Sequence, residues 1–365
     1  MYHSIYSGLI NKKWKNDGRY GIIIRYAYIH RKGSGVEDRV SVILLIYMVE
    51  AYLPKCIESA INQTYKDIEI ILSVSEGPDR CVEICREYAA KDDRIKVVQR
   101  ERKGRGPGRN FGMEAATGKY VLFIDGDDCM GETMVEKLVL AAKKHGADAV
   151  ICGDQYEYEN EPGRVEKHIA GLPEVFGRRE LYAEILSRKS FGLEVWNKMF
   201  LLDKIRDIAY LDETAEDRFW SVKAYRRLDT IAYVPSCEFH YAVRGNSGSR
   251  KPHVMEASMR ADKLLCNDIR GNGYLKEECD YFMFTSCYNA LYEALHFGYF
   301  EYGAWRQTYE EFRRCASTVR KSGTVRRQDR IKANIGRAGF RPLIWFMKLS
   351  MRLKPAGLYD AAEEV

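Results

Sequence analysis

Three carboxylates stand at the end of an unbroken apolar run: Asp125, Asp127 and Asp128 follow Val121-Leu-Phe-Ile124. An apolar run that short reads as a strand buried on both faces, as in a parallel sheet. In open α/β sheets the ligand sits where the strands end. Three carboxylates at that edge repel one another and lose hydration, so this reading calls for a cation that lets them stay ionised together. A hard divalent ion such as Mg²⁺ takes oxygen ligands and keeps waters and substrate phosphate oxygens in the same shell. The chemistry implied is delivery of a metal and a nucleotide diphosphate to the mouth of a sheet. The same residues also suit a solvated Asp-Gly-Asp turn after a core strand.

Immediately upstream lies a Gly-rich basic loop, Arg100-Glu-Arg-Lys-Gly-Arg-Gly-Pro-Gly-Arg109, leading into a short helix predicted over Asn110 to Ala116. Free backbone N–H groups at a helix start, with guanidinium groups nearby, make an anion site. Glu216-Asp217 is a further acidic pair, at the start of a predicted helix. On residues alone it fits a charged first helical turn.

The elements that must position these groups alternate. Val40 to Ile46, Ile68 to Val74 and Ile95 to Gln99 read as strands. Between them lie helical patterns, Glu50 to Asn62 with Pro54 in its first turn and Asp79 to Lys91 with Asp79 as cap. This order predicts a parallel sheet with right-handed crossovers. Thr133 to His145 is an amphipathic helix closed by Gly146, and a strand begins at Ala149. Farther on, Arg178 to Arg188 is a helix, and Thr230 to Val234 and Cys237 to Arg244 are two strands. From His253 onward the pattern is helical. Residues 337–354 interleave Arg and Lys with Phe340, Leu343, Trp345, Phe346 and Leu349, which suits either an interfacial amphipathic helix or a terminal helix docked on the domain.

With 365 residues the chain can bury a large core and form two units. The excess of 58 basic over 52 acidic residues is too small to argue for nucleic-acid binding. Ten cysteines without zinc spacing read as reduced core residues. No apolar run is long enough to span a bilayer and no leader pattern opens the chain, so the expectation is a cytoplasmic protein.

In order and spacing these parts resemble the family 2 inverting glycosyltransferases of bacterial polysaccharide biosynthesis. The matching residues are Val40-Ser-Val-Ile43 with Tyr47 and Glu50, Asn62-Gln-Thr-Tyr65, Asp67-Ile-Glu-Ile-Ile-Leu72, Arg109-Asn-Phe-Gly112, Ala116-Thr-Gly118, Asp125-Gly-Asp-Asp128, Trp196-Asn-Lys198 and Glu216-Asp217. The resemblance implies an α/β GT-A fold, Rossmann-like, with a mostly parallel central sheet flanked by helices and a helical C-terminal extension. Its expected divisions are a basic appendage at 1–38, the glycosyltransferase domain at 39–250 and a helical region at 251–365.

The resemblance also implies roles. Asp127, with Asp125, holds Mn²⁺ or Mg²⁺ and the donor's ribose and diphosphate. Tyr47, Glu50, Ser75, Arg109 and Asn110 lie around the nucleotide of a donor, a UDP-sugar in the first instance. Trp196, Asn197, Lys198, His240 and Arg244 line the acceptor side, and His240 or Arg244 adds positive charge for the leaving diphosphate. Asp217 is the general base, with Glu216 beside it. Inversion requires an acceptor hydroxyl to attack from the face opposite the leaving group, and a carboxylate must take its proton as the bond forms. The expected acceptor is a saccharide or lipid-linked precursor, with the C-terminal tail in contact with the cytoplasmic membrane surface.

Four positions depart from the family pattern. Leu45 stands where Pro is usual, and Met48 where Asn is common. Val74 and Ser75 replace a carboxylate pair that reads the base, and valine cannot accept a hydrogen bond. A sugar-1-phosphate nucleotidyltransferase needs a Gly-rich loop directly after the first strand, and Tyr47-Met-Val-Glu-Ala-Tyr52 has no glycine. A dehydrogenase lacks its G-x-G-x-x-G. A non-catalytic binding or scaffolding protein on the same fold is the remaining alternative, with Val74 in its favour and Asp127 and Asp217 against it.

Overall fold

A computed structural model describes residues 38–353, except 102, 103, 189, 190, 245–251, 299, 302, 304 and 324; the basic appendage lies outside the described residues. The predicted alternation is present as β1 (Val40–Ile46), α1 (Leu53–Ile61), β2 (Ile68–Ser75), α2 (Cys81–Ala89), β3 (Ile95–Arg100), α3 (Arg105–Ala115) and β4 (Tyr120–Asp125). Then come β5 (Cys129–Met130), α4 (Met134–His145), β6 (Ala149–Tyr158), β7 (Val165–His168), β8 (Val175–Gly177), α5 (Arg178–Ser187), β9 (Lys198–Leu201), α6 (Leu202–Ile205), α7 (Glu216–Tyr225) and β10 (Thr230–Val243).

These strands form one sheet in the order β3-β2-β1-β4-β9-β6-β10-β5, with β7 on β6 and β8 on β10. The first four are mutually parallel, as are β6 and β10, while β9 runs antiparallel between β4 and β6. Period-two alternation divides the side chains between two cores. Val40, Val42, Leu44 and Ile46 pack under α1, α2 and α4, whereas Ile43 faces α3 and shares the opposite core with Phe123, α5 and α7. Both faces are covered, which is why the central strands read as unbroken apolar runs.

Three boundaries differ from expectation. Helix α3 starts at Arg105, five residues before Asn110, because Gly106-Pro107-Gly108 belongs to its first turn. Proline is tolerated there, and at Gly106 a Cβ would lie 1.9 Å from the Leu211 carbonyl oxygen, so only glycine lets the turn close against that segment. The two strands expected around Pro235 are the single strand β10. Its register shifts between Val234 and Phe239, where proline's missing donor produces a bulge rather than an end. Asp79 is not the α2 cap: Arg80 is, while Asp79 accepts from the Cys81 N–H at 3.4 Å.

Five helices follow: α8 (Pro252–Gly271), α9 (Lys276–His296), α10 (Arg306–Lys321), α11 (Arg327–Ala338) and α12 (Phe340–Leu353). Their apolar faces join the core beneath α5 and α7. The run expected as one helix from Arg337 breaks at Gly339, whose φ of 151° suits glycine. Phe340, Leu343, Ile344 and Met347 dock α12 on the domain.

Candidate active site

Two elements bring the acidic groups together. Strand β4 ends at Asp125, level with Leu45 of β1, and the Gly126 N–H donates to the Leu45 carbonyl at 2.9 Å to turn the tip. Helix α7 opens at Glu216 after Ala215, whose φ is 59°. Left-handed backbone at a non-glycine residue is strained and concentrates at functional sites. The helix is fixed by Trp220, which packs edge-on to Phe123 of β4 at 5.7 Å, stacks on Tyr210 at 4.7 Å and donates its indole N–H to the Ile208 carbonyl.

Arg109 joins the two elements. Its side chain is 3% exposed; Nη2 donates to Asp125 Oδ1 at 2.8 Å and Nη1 to Glu216. Burial disfavours the guanidinium charge, but Asp125 and Glu216 outweigh that, and its pKa moves upward. Helix α3 can deliver Arg109 there because it lies against β1: a Cβ on Gly112 would sit 2.4 Å from Ile43.

The three carboxylates of the β4 tip do not depend on an external cation in the way their spacing suggests. Asp125 is compensated by Arg109 and Asp127 is paired with Arg244. Asp128 is buried, accepts from the Ala242 N–H at 3.0 Å, and is held well above the usual carboxylate range by burial and then by the Asp125 charge. Asp125 and Asp127 remain the two tip carboxylates that face open space. They line a cleft of about 390 Å³ with Tyr47, Ser75, Arg100 and Arg105. Among the described residues no three metal-ligating side chains cluster. Two carboxylates opening on one cleft suit a hard divalent ion that completes its shell with water and phosphate oxygens.

Asp217 follows Glu216 in the first turn of α7, where the helix dipole favours negative charge. It is partly exposed and accepts from the Arg218 N–H at 2.8 Å. Desolvation, then the Glu216 charge, raise its carboxyl to about 6, a value suited to a general base near neutrality.

The remaining expected residues separate. Tyr47 and Ser75 line the cleft, but Glu50 accepts from the Arg80 N–H at 2.8 Å and caps the approach to α2 instead. Asn110 is spent on the backbone of Tyr210, donating at 2.9 Å and accepting at 2.8 Å. Asn197 and Lys198 are buried: Asn197 donates to the Cys152 carbonyl, and the Lys198 ammonium donates to the Glu194 carbonyl and to Asn197. They orient the chain below Trp196 and do not face a cleft. Trp196 lines a second cleft of about 420 Å³ with Tyr156, His168, Phe191, Glu194 and Arg218, on the side of α7. His240 and Arg244 line a third, of about 360 Å³, that shares Asp127 with the first. Burial holds the His240 imidazole below its usual range, against the opposing pull of Glu157, so of the two Arg244 is the permanent cation there.

Arg100 entered the sequence reading only as the first residue of the basic loop, and Tyr210 not at all. Arg100 sits at the end of β3 level with Ser75, is buried, lies over the Phe111 ring at 5.9 Å and feels the Asp212 charge, yet among the described residues its Nε and Nη1 have no hydrogen-bond partner. Buried guanidinium N–H groups left without acceptors beside a cleft suit an anion or an acceptor edge. Its signal was an arginine ending an apolar strand. The Tyr210 hydroxyl, buried beneath the Arg109 guanidinium, is also unpartnered, and nothing in the local sequence marks it.

Comparison with known proteins agrees with this arrangement. Residues 41–205 match the sequence profile of glycosyl transferase family 2. Glycosyltransferase GlyA of Streptococcus pneumoniae is 33% identical over 226 residues, covering 59% of this chain and 32% of that one. EpsH of Bacillus subtilis is 31% identical over 214 residues, covering 57% and 62%. The chain thus spans less than two thirds of either relative. The crystal structure of S. aureus TarS 1-349 in complex with UDP-GlcNAc superposes with a TM-score of 0.61 at 18% identity, covering 86% of this chain and 91% of that one. The α/β domain therefore has the GT-A fold, and its residues 41–205 match glycosyl transferase family 2.

Proposed function

We propose that the chain is a metal-dependent inverting glycosyltransferase. It moves a sugar from a nucleotide-sugar, a UDP-sugar first of all, to a saccharide acceptor on a lipid-linked polysaccharide precursor at the cytoplasmic face of a membrane. One observation carries this reading: Arg109 ties the β4 tip to the α7 terminus, so the donor-side carboxylates and the candidate base form one rigid unit. The nucleotide lies in the first cleft, its base against Tyr47. Ser75 and Arg100 stand where a base-reading carboxylate is missing, and Arg105 at the start of α3 faces the phosphates.

Asp125 and Asp127 would hold Mn²⁺ or Mg²⁺. When bound, the ion neutralises charge on the departing nucleoside diphosphate. Arg244 is the protein's own cation at that point. The acceptor sugar packs in the aromatic cleft beside Trp196. Its hydroxyl oxygen attacks the anomeric carbon as the bond to the diphosphate oxygen breaks. The leaving group keeps the bonding electrons, and Asp217 receives the hydroxyl proton and later returns it to solvent. Glu216, paired with Arg109, fixes the geometry of the turn, and its charge keeps Asp217 basic.

A non-catalytic nucleotide-binding role is the second reading, favoured by the buried, non-accepting Val74. Thermal denaturation with nucleoside diphosphates and nucleotide-sugars, each with and without Mn²⁺, separates the two. The enzyme reading expects metal-dependent stabilisation by one nucleotide class, lost in Asp127→Ala, and turnover of the matching nucleotide-sugar to a product of opposite anomeric configuration. Stabilisation without any turnover supports the second reading, and no response to any nucleotide ends both.

A further inference from the structure

Helix α12 turns two different faces outward and inward. Phe340, Leu343, Ile344 and Met347 are buried in the domain. Arg341, Trp345, Lys348 and Arg352 recur at i, i+4, i+7 and i+11 on the other face, and all are exposed. Trp345 is 67% exposed and Leu349, one turn farther, 38%. An indole left that far in water on a docked helix serves no packing purpose.

The charge around it is one-sided. Residues 326–352 carry eight basic side chains, Arg326, Arg327, Arg330, Lys332, Arg337, Arg341, Lys348 and Arg352, against the single acid Asp329. Asp329 is buried and spent on Arg326, Lys332 and Tyr281, so its charge offsets Arg326 and Lys332 and not the other six. Among the described residues, no carboxylate pairs with Arg341, Lys348 or Arg352. A tryptophan flanked by cations on stems long enough to reach phosphate matches the boundary of an anionic bilayer: the indole seats at the headgroup level and the basic groups meet the lipid phosphates. No helix of the described residues is long and apolar enough to cross a membrane, so contact through this face is in-plane.

We propose that the exposed face of α12, extended by the basic residues of α11, is a docking surface for anionic phospholipid. This goes beyond the catalytic reading and does not depend on it. Docking there would hold the domain at the surface where a lipid-linked acceptor is presented.

The test is co-sedimentation of the full chain with vesicles of phosphatidylglycerol and phosphatidylcholine, against phosphatidylcholine alone, at low and high salt. Expected are binding to the anionic vesicles only, weakening with salt, and a loss of about a hundredfold in Arg341→Glu/Lys348→Glu/Arg352→Glu. Trp345→Ala, at a position that does not support the core, should keep the parent's thermal transition and bind several-fold more weakly. No binding to anionic vesicles, or equal binding by all variants, overturns the proposal. So does a charge-reversal variant that loses affinity for duplex DNA while the parent ignores vesicles, or a Trp345-dependent dimer in sedimentation that replaces vesicle binding. None of these outcomes requires transferase activity.

Discussion

Arg109→Met removes the cation that joins β4 to α7 while keeping a similar volume. The magnitude follows from exposure. The Glu216 side chain is 6% exposed and the Asp125 side chain 24%. Losing one partner of a buried pair leaves an uncompensated charge and costs about 3–5 kcal/mol. Most of that falls on Glu216, since Asp125 retains water and its share is screened. Against a domain stability of roughly 5–15 kcal/mol this is a large fraction. Urea denaturation followed by tryptophan fluorescence should show the midpoint falling by about 1 M or more. Adding Glu216→Gln should restore a substantial part of the loss, because the carboxylate left behind is then neutral. A change below about 1 kcal/mol in Arg109→Met, or a double variant whose loss is the sum of the single losses, would refute the claim that Arg109 is the charge at the centre of the site.

Three further outcomes are expected. Asp217→Asn should bind the donor nucleotide as the parent does and lose transfer by at least about a hundredfold, read from single-turnover rates; the parent's rate should fall as pH drops through about 6, where Asp217 takes up a proton. The same raised carboxyl implies that Asp217→Asn is more stable than the parent above pH 6. That gain should vanish as pH falls toward the ordinary carboxyl range, because the folded parent binds the extra proton between those limits; equal denaturation midpoints throughout would contradict it. Met48 has a φ of 55° on an exposed loop after β1, so Met48→Asn or Met48→Gly should stabilise by about 0.5–1 kcal/mol in the same assay.

The sheet was legible in the residues because its strands are buried on both faces. Val42–Ile46 and Val121–Ile124 are apolar throughout and buried, and helices of amphipathic spacing cover them. The carboxylate tip and the Glu216-Asp217 pair were equally legible as groups, and their order along the chain carried the family. What each group does was not. Asn110, Asn197 and Lys198 stand within matching motifs, yet the fold spends them on backbone carbonyls and buried neighbours. Residue type records hydrogen-bonding capacity but not the partner. The register at Pro235 and the start of α3 were misread because both hinge on an approach by distant backbone, Leu211 in the case of Gly106.

Sequence alone determined the layered α/β architecture and the presence of carboxylates at the sheet's mouth, since both follow from local pattern. Only the tertiary structure decided that the carboxylates are compensated from within, by Arg109 from α3, by Arg244 from the end of β10 and by burial of Asp128. Compensation is a matter of distance and solvent access between residues 16 to more than a hundred positions apart, and neither quantity is written in their spacing.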